Sequence, residues 1–465
     1  MRSVIRLFTV FVLGTLLVAC SSSSDDNATP SRRPTEPAPE PTPEPRAENV
    51  AFWYQRIDAT TDLAGLGNVR LVVTVPQAQP RDAIAQIHAI GAKAYRYVQF
   101  YWYPEGREHE GLDIGKRLDW AFCASGAQPA VGREVPRRDG VERWYFLDAN
   151  EQGVREQVGA FLRGIRAEGW DGIMFDRGFA ALTGSEASIR DVWASSSQCT
   201  DTPVEPGRTF ADAYVGLVAE AKQTGLEVLL NYGLSSVDPV VPMRPDPRDP
   251  DCPARAWVRC STLDDVWPHV DWTLDEAIAH PRDEQFSEDL AALSRITTDP
   301  RHPNRVIGLI TAGTLGGEFT RDNVFFQWAR VKLFPVPLAV GTGDDGCRNN
   351  PDAQICNRHG SFPELANAAL GAPTTARPEP QSCEPGSNEQ CLWVRKYQRG
   401  MVVVNVSPVP KRLRGTALRV AGCRVVTDVY ADAPIANGRC VTAVDLELPA
   451  WSGRVLTYAA PTRGA

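Results

Sequence analysis

Three apolar runs of the sequence each end in a side chain that carries an acid or an amide. These side chains are Asp176, Asn231 and Glu276. Two carboxyl groups that face one cleft suit acid and base chemistry, because one donates a proton while the other, ionised, attacks carbon or activates water. We therefore predict that Asp176 and Glu276 form a catalytic pair. Asn231 is expected to orient a carboxylate or to bind a substrate hydroxyl.

The segments that would position these side chains alternate between strand-like and helix-like patterns from residue 50 onward. Strand, helix and strand in alternation favour parallel pairing. The eight strand candidates are Ala51–Ile57, Val69–Val75, Ala94–Tyr101, Trp144–Leu147, Gly172–Asp176, Glu227–Asn231, Asp271–Glu276 and Arg305–Thr311. The helix candidates include Pro80–Ile90, Gly153–Ala167, Thr209–Thr224, Asp283–Arg295 and Asp322–Leu333.

Eight strands with polar groups at several of their ends predict an α/β fold of the closed (β/α)8 TIM-barrel type. The competing interpretation is an open, doubly wound sheet, which carries a glycine-rich turn between an early strand and a helix. The segment Gly341–Gly346 matches that turn in form, but it follows the eight repeats and no helix pattern comes after it. In the barrel, Asp176 and Glu276 end strands five and seven, whose backbones lie roughly 10 Å apart. Their carboxyl groups can then approach the separation of about 5–10 Å that glycoside hydrolysis requires.

Composition divides the chain into four parts. Residues 1–20 carry two positive charges and then an apolar run, which is typical of an export signal peptide. They end at Cys20 in a sequence similar to the lipobox of bacterial lipoproteins, and an ordinary signal peptide with an incidental cysteine is the alternative. Residues 21–49 form a Pro-rich linker, residues 50–380 the barrel, and residues 388–462 a small β-sandwich-like all-β domain of short strands. That domain either braces the barrel, which we favour, or binds sugar.

Cysteine usage agrees with export to the cell envelope. With Cys20 lipidated, ten of the eleven cysteines remain, and disulfides are favoured over zinc because no couple has the two-residue spacing of a zinc site. The serines that follow Cys20 favour anchoring to the outer membrane. The expected pairs are Cys252 with Cys260, Cys347 with Cys356, Cys383 with Cys391, Cys423 with Cys440 and, by elimination, Cys123 with Cys199.

Charge and aromatic content point to the class of partner. The net charge is −8 with dispersed basic residues, which argues against nucleic acid, and the six histidines show no ligand spacing, so we expect neither a metal nor a cofactor. Twelve tryptophans and eleven tyrosines suit stacking on sugar rings, although core packing explains most single aromatics. For Asp171, a turn or a helix cap is the alternative role. The candidate sugar-binding residues are Asn231, Tyr232, Trp53, Tyr97, Tyr101, Trp102 and Asp171. Of these, Trp53, Tyr97, Tyr101 and Trp102 could form a wall that stacks on sugar rings.

Several of these motifs together resemble glycoside hydrolase barrels related to endo-α-1,4-polygalactosaminidases. The resemblance covers most of residues 50–410, and it implies a (β/α)8 fold, hydrolysis of an exopolysaccharide or another glycan, and catalytic carboxylates at Asp176 and Glu276. Two functions stay open: a cell-surface glycosidase, and a non-catalytic glycan-binding or envelope-structural lipoprotein on the same scaffold. The matching segments are Trp144–Asp148, Trp170–Asp176, Leu230–Gly233, Glu276, Leu370–Pro373, Trp393–Arg395 and Gly400–Pro408.

Membrane attachment through Cys20 is directly testable. Replacement of Cys20 with Ala removes the thiol to which a lipid would be joined, and without acyl chains the exported protein has little affinity for a bilayer. We expect Cys20→Ala to move from the membrane fraction to the soluble exported fraction, as measured by fractionation and immunoblotting. The control is Ser21→Ala, which should stay with the membrane. Equal membrane retention of both variants would contradict lipidation at Cys20.

Overall fold

The computed structural model describes residues 49–53, 57–66, 69–100, 102–106, 108, 110, 112–121, 131–137, 140–176, 210–231, 267–275, 306–310, 321–334, 338–340, 368, 370–385, 390–413 and 418–459. Strands before residue 341 are β1 (Asn49–Trp53), β2 (Val69–Thr74), β3 (Lys93–Val98), β4 (Trp102–Pro104), β5 (Val131–Arg137), β6 (Gly140–Phe146), β7 (Gly172–Phe175), β8 (Glu227–Asn231), β9 (Trp272–Asp275), β10 (Val306–Ile310) and β11 (Leu338–Val340). The α-helices in these ranges are α1 (Pro80–Ala89), α2 (Gln152–Glu168), α3 (Phe210–Gln223) and α4 (Arg321–Lys332). Strands after residue 370 are β12 (Glu379–Gln381), β13 (Leu392–Tyr397), β14 (Gly400–Asn405), β15 (Lys411–Leu413), β16 (Arg419–Asp428), β17 (Ala433–Pro434), β18 (Val441–Ala443), β19 (Leu446–Leu448) and β20 (Ser452–Ala459).

Eight parallel strands close into a barrel in the order β1-β2-β3-β7-β8-β9-β10-β11, and β11 pairs back onto β1. This confirms the predicted (β/α)8 class and excludes the open sheet. The helices α1 to α4 lie where the sequence predicts them, while the predicted helix Asp283–Arg295 falls outside the described residues. None of the described helices is both long and apolar enough to cross a membrane.

The structure corrects the assignment of one strand. The predicted strand Trp144–Leu147 belongs to β6, which pairs with β4 and β5 in a separate antiparallel sheet. This sheet comes between β3 and α2 along the chain. The eighth place in the barrel goes to β11, which the sequence analysis did not identify. Periodicity cannot separate a hairpin strand from a barrel strand, and three residues are too few for a periodic signal. Asp176 therefore follows the fourth barrel strand, and Asn231 ends the fifth.

Side chains alternate between the inside and the outside of the barrel along each strand. The outward residues pack on the helices, as Ala94, Ile173 and Val228 do. On β7 and β8 the inward residues are Met174 and Leu229. The next positions of the same parity, two residues later, are Asp176 and Asn231 at the ends of these strands. The inward side chains form one buried cluster: Val50, Phe52, Leu71, Val73, Tyr95, Met174, Leu229, Trp272 and Leu274, with Tyr97 packed against it.

Three helix-to-strand connections use the same turn. The helices α1, α2 and α3 are followed by Gly91, Gly169 and Gly225, each with a positive φ. In every case the glycine N–H donates to the carbonyl of a basic residue three positions earlier. Glycine adopts this left-handed conformation without the steric cost of a Cβ, so each helix ends there and the next strand begins within three residues.

The strands after residue 370 form the predicted small all-β domain. A seven-stranded sheet and the separate pair β15-β19 share one apolar cluster. Because β12 pairs with β13, the sheet begins before the expected boundary at residue 388. Disulfides join Cys383 to Cys391 and Cys423 to Cys440, as predicted, and the other predicted pairs lie outside the described residues.

This β-domain packs against α4 of the barrel. Arg395 on β13 donates to the carbonyl of Leu333 at 2.9 Å, and the hydroxyl of Tyr397 donates to the carbonyl of Lys332. The last carbonyls of a helix have no partner within the helix, so these two side chains satisfy them. Gly453 on β20 lets the backbones approach, because a Cβ there would overlap α4. The domain thus holds the end of α4 in place.

Packing at the closed, amino-terminal end of the barrel gives a stability prediction. A Cβ at Gly172 would lie 2.5 Å from the ring of Tyr95 and 2.8 Å from the carbonyl of Glu227. Because Tyr95 is completely buried, Gly172→Ala must displace the ring or the backbone. We expect it to lower the free energy of unfolding by about 1–3 kcal/mol in a urea titration.

The matched control is Gly164→Ala on α2, where no atom lies within 4 Å of the added methyl group. Because alanine is a better helix former, we expect this variant to gain up to about 1 kcal/mol. Equal stability of the two variants would contradict the packing of Tyr95 against Gly172.

Candidate active site

Asp176 lies directly after β7, at the carboxyl end of the barrel. Its N–H donates to the carbonyl of Val98 on β3 at 2.9 Å. The buried hydroxyl of Tyr214 on α3 donates to its backbone carbonyl at 3.2 Å. Burial raises the pKa of Tyr214 well above its usual value and the charge of Asp176 adds to the shift, so the phenol stays a donor. The backbone of Asp176 is therefore fixed on both sides.

The carboxylate of Asp176 is held by two neighbouring strands. Its Oδ1 accepts a hydrogen bond from Nδ2 of Asn231 on β8 at 2.8 Å, and its Oδ2 accepts one from the hydroxyl of Tyr97 on β3 at 2.5 Å. Hydrogen bonds of this kind are stronger when the acceptor is ionised. We refer to Tyr97, Asp176 and Asn231 as the Asp176 cluster. It is a polar site on three adjacent strands at the end of the barrel where such folds carry their active sites.

The interior below the Asp176 cluster is apolar. Inward side chains of the six strands β1, β2, β3, β7, β8 and β9 fill it, among them Phe52, Val73, Met174 and Leu229. Asn231 is 8% exposed and Asp176 is partly exposed, so the cluster lies at the surface of this filled core. The filled interior closes the approach to Asp176 from within the barrel.

The structure brings together three of the predicted site residues, Tyr97, Asp176 and Asn231. Asp176 and Asn231 are in contact, and Asn231 orients the carboxylate, which is one of the two roles expected for it. Tyr97 was expected in a stacking wall, but its hydroxyl binds Asp176. Alternation along β3 gives Tyr97 the same inward parity as Tyr95, and this pattern could have indicated that Tyr97 faces the site. The contact of Tyr214 with Asp176 could not have been predicted, because the helical spacing of α3 does not indicate which group the hydroxyl meets.

Several predicted residues cannot be placed. Glu276, Tyr101 and Tyr232 lie outside the described residues. For Trp53 and Trp102 the structure describes strand positions only: Trp53 ends β1 and Trp102 begins β4. The stacking wall and the catalytic role of Glu276 stay predictions. Within the described ranges, no three His, Cys, Asp or Glu side chains come together as a metal site requires.

Asp171 is removed from the candidate sugar-binding residues. It lies directly before β7, at the closed end of the barrel and opposite to Asp176. Its Oδ2 accepts the N–H of Ala94 at 2.8 Å and lies 2.7 Å from Nε2 of His88. Asp271 lies directly before β9 and makes equivalent contacts. Its carboxylate accepts the N–H of Val228 on β8 at 2.8 Å and a hydrogen bond from Lys222 on α3 at 2.6 Å. Asp171 therefore connects the end of α1 with β3 and with the start of β7, which fits the alternative role in a turn.

Comparisons with known proteins find solved structures of low sequence identity. No protein-family model matches the chain, and no curated protein matches it at a significant level. A mutant of MutB, the trehalulose synthase from Pseudomonas mesoacidophila MX-45, solved in complex with sucrose, is 12% identical, with 90% of this chain and 100% of that chain covered and a TM-score of 0.51. An α-amylase from Malbranchea cinnamomea is 11% identical, covering 89% and 96%, with a TM-score of 0.47. A β-L-arabinopyranosidase from Geobacillus stearothermophilus is 10% identical, covering 90% and 97%, with a TM-score of 0.44. At such identities, the likeness to the MutB mutant shows a shared fold.

The structural role of Asp171 can be measured. Asp171→Ala leaves the buried N–H of Ala94 without its acceptor, and we expect a loss of about 1–3 kcal/mol in the free energy of unfolding. Asp271→Ala should lose a similar amount in the same urea titration. Asp119→Ala is the control, because its ion pair with Arg117 is solvated and contributes little. Unchanged stability of Asp171→Ala together with weaker glycan binding would return Asp171 to the sugar site.

Proposed function

We propose that the chain is a glycoside hydrolase that cleaves a polysaccharide with Asp176 and Glu276. The observation that carries the proposal is the Asp176 cluster. A carboxylate at the open end of a (β/α)8 barrel accepts hydrogen bonds at both oxygens and is fixed through its backbone. Rigid support of one reactive group is what acid and base catalysis in a barrel requires.

The second carboxylate is proposed from the register of β9. Leu274 pairs with Asn231 and shares the inward parity of Trp272. If the alternation continued two residues beyond Leu274, Glu276 would have the same parity, and this is the basis of its proposed role. Asp275 has the parity of Thr273 instead. One strand separates β7 from β9, which corresponds to a backbone distance of roughly 10 Å at about 4.8 Å per strand. Inward carboxyl groups at these ends can therefore flank one glycosidic bond.

The two carboxyl groups have different proposed roles. Asp176, with two donors on its oxygens, is suited to be the ionised partner, and Glu276 is the acid. The bond between the anomeric carbon and the glycosidic oxygen breaks, and that oxygen keeps the electron pair and takes the proton of Glu276. The anomeric carbon then bonds to Asp176, with water displacing it later, or directly to a water that passes a proton to Asp176. One water is consumed in either case.

Two further observations support a sugar polymer as the substrate. The barrel fold is shared with MutB, a mutant of which was solved with sucrose. The sequence resemblance to polygalactosaminidase-related barrels favours an exopolysaccharide, and the lipobox-like sequence at Cys20 favours action at the cell envelope. We therefore propose an extracytoplasmic glycan, reached by a lipid-anchored enzyme, as the substrate class.

The test is the release of reducing ends from bacterial exopolysaccharides, galactosamine polymers included, by the full chain purified in detergent. We expect Asp176→Asn and Glu276→Gln each to lower kcat by about 100- to 10,000-fold, because each removes a proton acceptor, nucleophile or acid. Asp275→Asn is the matched control, and we expect it to keep its activity. Circular dichroism establishes that all variants are folded.

Two outcomes would overturn the proposal. Full activity in either carboxylate variant would remove that residue from the catalytic pair. If no glycan is cut but one binds equally well to the parent chain and to both variants, the chain is a glycan-binding lipoprotein that keeps the barrel as a scaffold.

A further inference from the structure

Two inward tyrosines on β3 bind carboxylates at opposite ends of the barrel. The hydroxyl of Tyr95 donates to Glu227 at the closed end, and that of Tyr97 donates to Asp176 at the open end. Tyr95 is completely buried, while Tyr97 is partly buried and packs against the same interior cluster. Two tyrosines of one strand thus make similar contacts with carboxylates. Of these carboxylates, Asp176 is the candidate catalytic group and Glu227 is not.

The contacts of Tyr97 differ from those of a sugar-stacking residue. A stacking tyrosine offers a ring face to the ligand and leaves its hydroxyl to solvent or to a sugar hydroxyl. Tyr97 packs against the apolar interior of the barrel, and its hydroxyl binds Oδ2 of Asp176.

The Asp176 carboxyl group needs a partner on each oxygen if its orientation is to be fixed. The terminal torsion of an aspartate is broad, so a fixed backbone does not fix the plane of the carboxyl group. Val98 and Tyr214 hold the backbone of Asp176. The remaining freedom, rotation of the carboxyl plane, is restricted by Asn231 on Oδ1 and by Tyr97 on Oδ2.

We propose that Tyr97 is a positioning residue that sets the plane of the Asp176 carboxylate for reaction at the anomeric carbon. This role rests on the proposed glycosidase function. The hydrogen bonds from Tyr97 and Asn231 hold the two carboxylate oxygens in one orientation. The geometry of attack is set before the sugar binds, and reaching it costs no further entropy during the reaction.

The experiment compares Tyr97→Phe with Tyr95→Phe in the full chain. Both changes remove one phenol oxygen from the inward face of β3, and both keep the ring. We expect Tyr97→Phe to lower kcat by about 100-fold with KM nearly unchanged, because misplacement of a reactive group costs rate rather than binding. Tyr95→Phe should keep kcat and unfold at a lower urea concentration, because a buried hydrogen bond is lost far from the reaction.

A third variant separates positioning from stacking. Tyr97→Leu removes both the ring and the hydroxyl. If Tyr97 positions Asp176, Tyr97→Phe and Tyr97→Leu lose kcat to a similar extent. If it stacks on sugar, Tyr97→Phe behaves as the parent chain and Tyr97→Leu raises KM, which overturns the proposal.

The remaining outcomes distinguish this inference from the proposed function. Equal losses of kcat in Tyr97→Phe and Tyr95→Phe would show general loosening of β3 and refute the positioning role alone. A parent chain that cuts no glycan refutes the proposed function, and the role of Tyr97 with it.

Discussion

The interior of a closed parallel barrel is filled by stacked layers of inward side chains, here called the column, and the rest of this structure depends on how that column is filled. At the closed end the buried ring of Tyr95 packs against position 172, where a glycine leaves space for it. Above it, apolar residues such as Met174 and Leu229 exclude water. At the upper end, the polar residues Asp176 and Asn231 continue the same alternation. The packing rule that builds the core therefore also places the candidate site residues at the surface of the barrel.

Partial burial of a carboxylate has to be offset by hydrogen bonds, because removal of an ionised group from water is costly. For Asp176, neutral donors at Tyr97 and Asn231 serve this purpose. A neutral donor supports the carboxylate without pairing it with a cation, which is the arrangement that the proposed catalytic role of Asp176 requires. At the closed end, Asp271 is instead paired with the ammonium group of Lys222 and is committed to the fold.

The sequence was sufficient for the fold and for part of the site, and the reasons are specific. Amphipathic periodicity identified α1 to α4, and strand ends identified Asp176 and Asn231. The same reasoning placed β6 in the barrel and overlooked β11, since pairing partners are not encoded in the period of a strand. The role of Tyr97 was not predicted, because its hydroxyl meets a residue 79 positions later in the chain. Asp171 resembled a site residue in sequence, and only its position before β7 shows that it lies at the other end of the barrel.

The β-domain contacts the helix that leads to the closing seam of the barrel. β11 has three residues, and Val50 and Ala51 of β1 pair with it, so this ladder is the shortest among the described residues of the barrel. The helix α4 leads into β11, and its last carbonyls are held by Arg395 and Tyr397 of the β-domain. Fixing the end of α4 limits the positions that β11 can take, which compensates for the short ladder. Since the column of inward side chains exists only while the barrel is closed, the β-domain supports the Asp176 cluster from the far side of the fold.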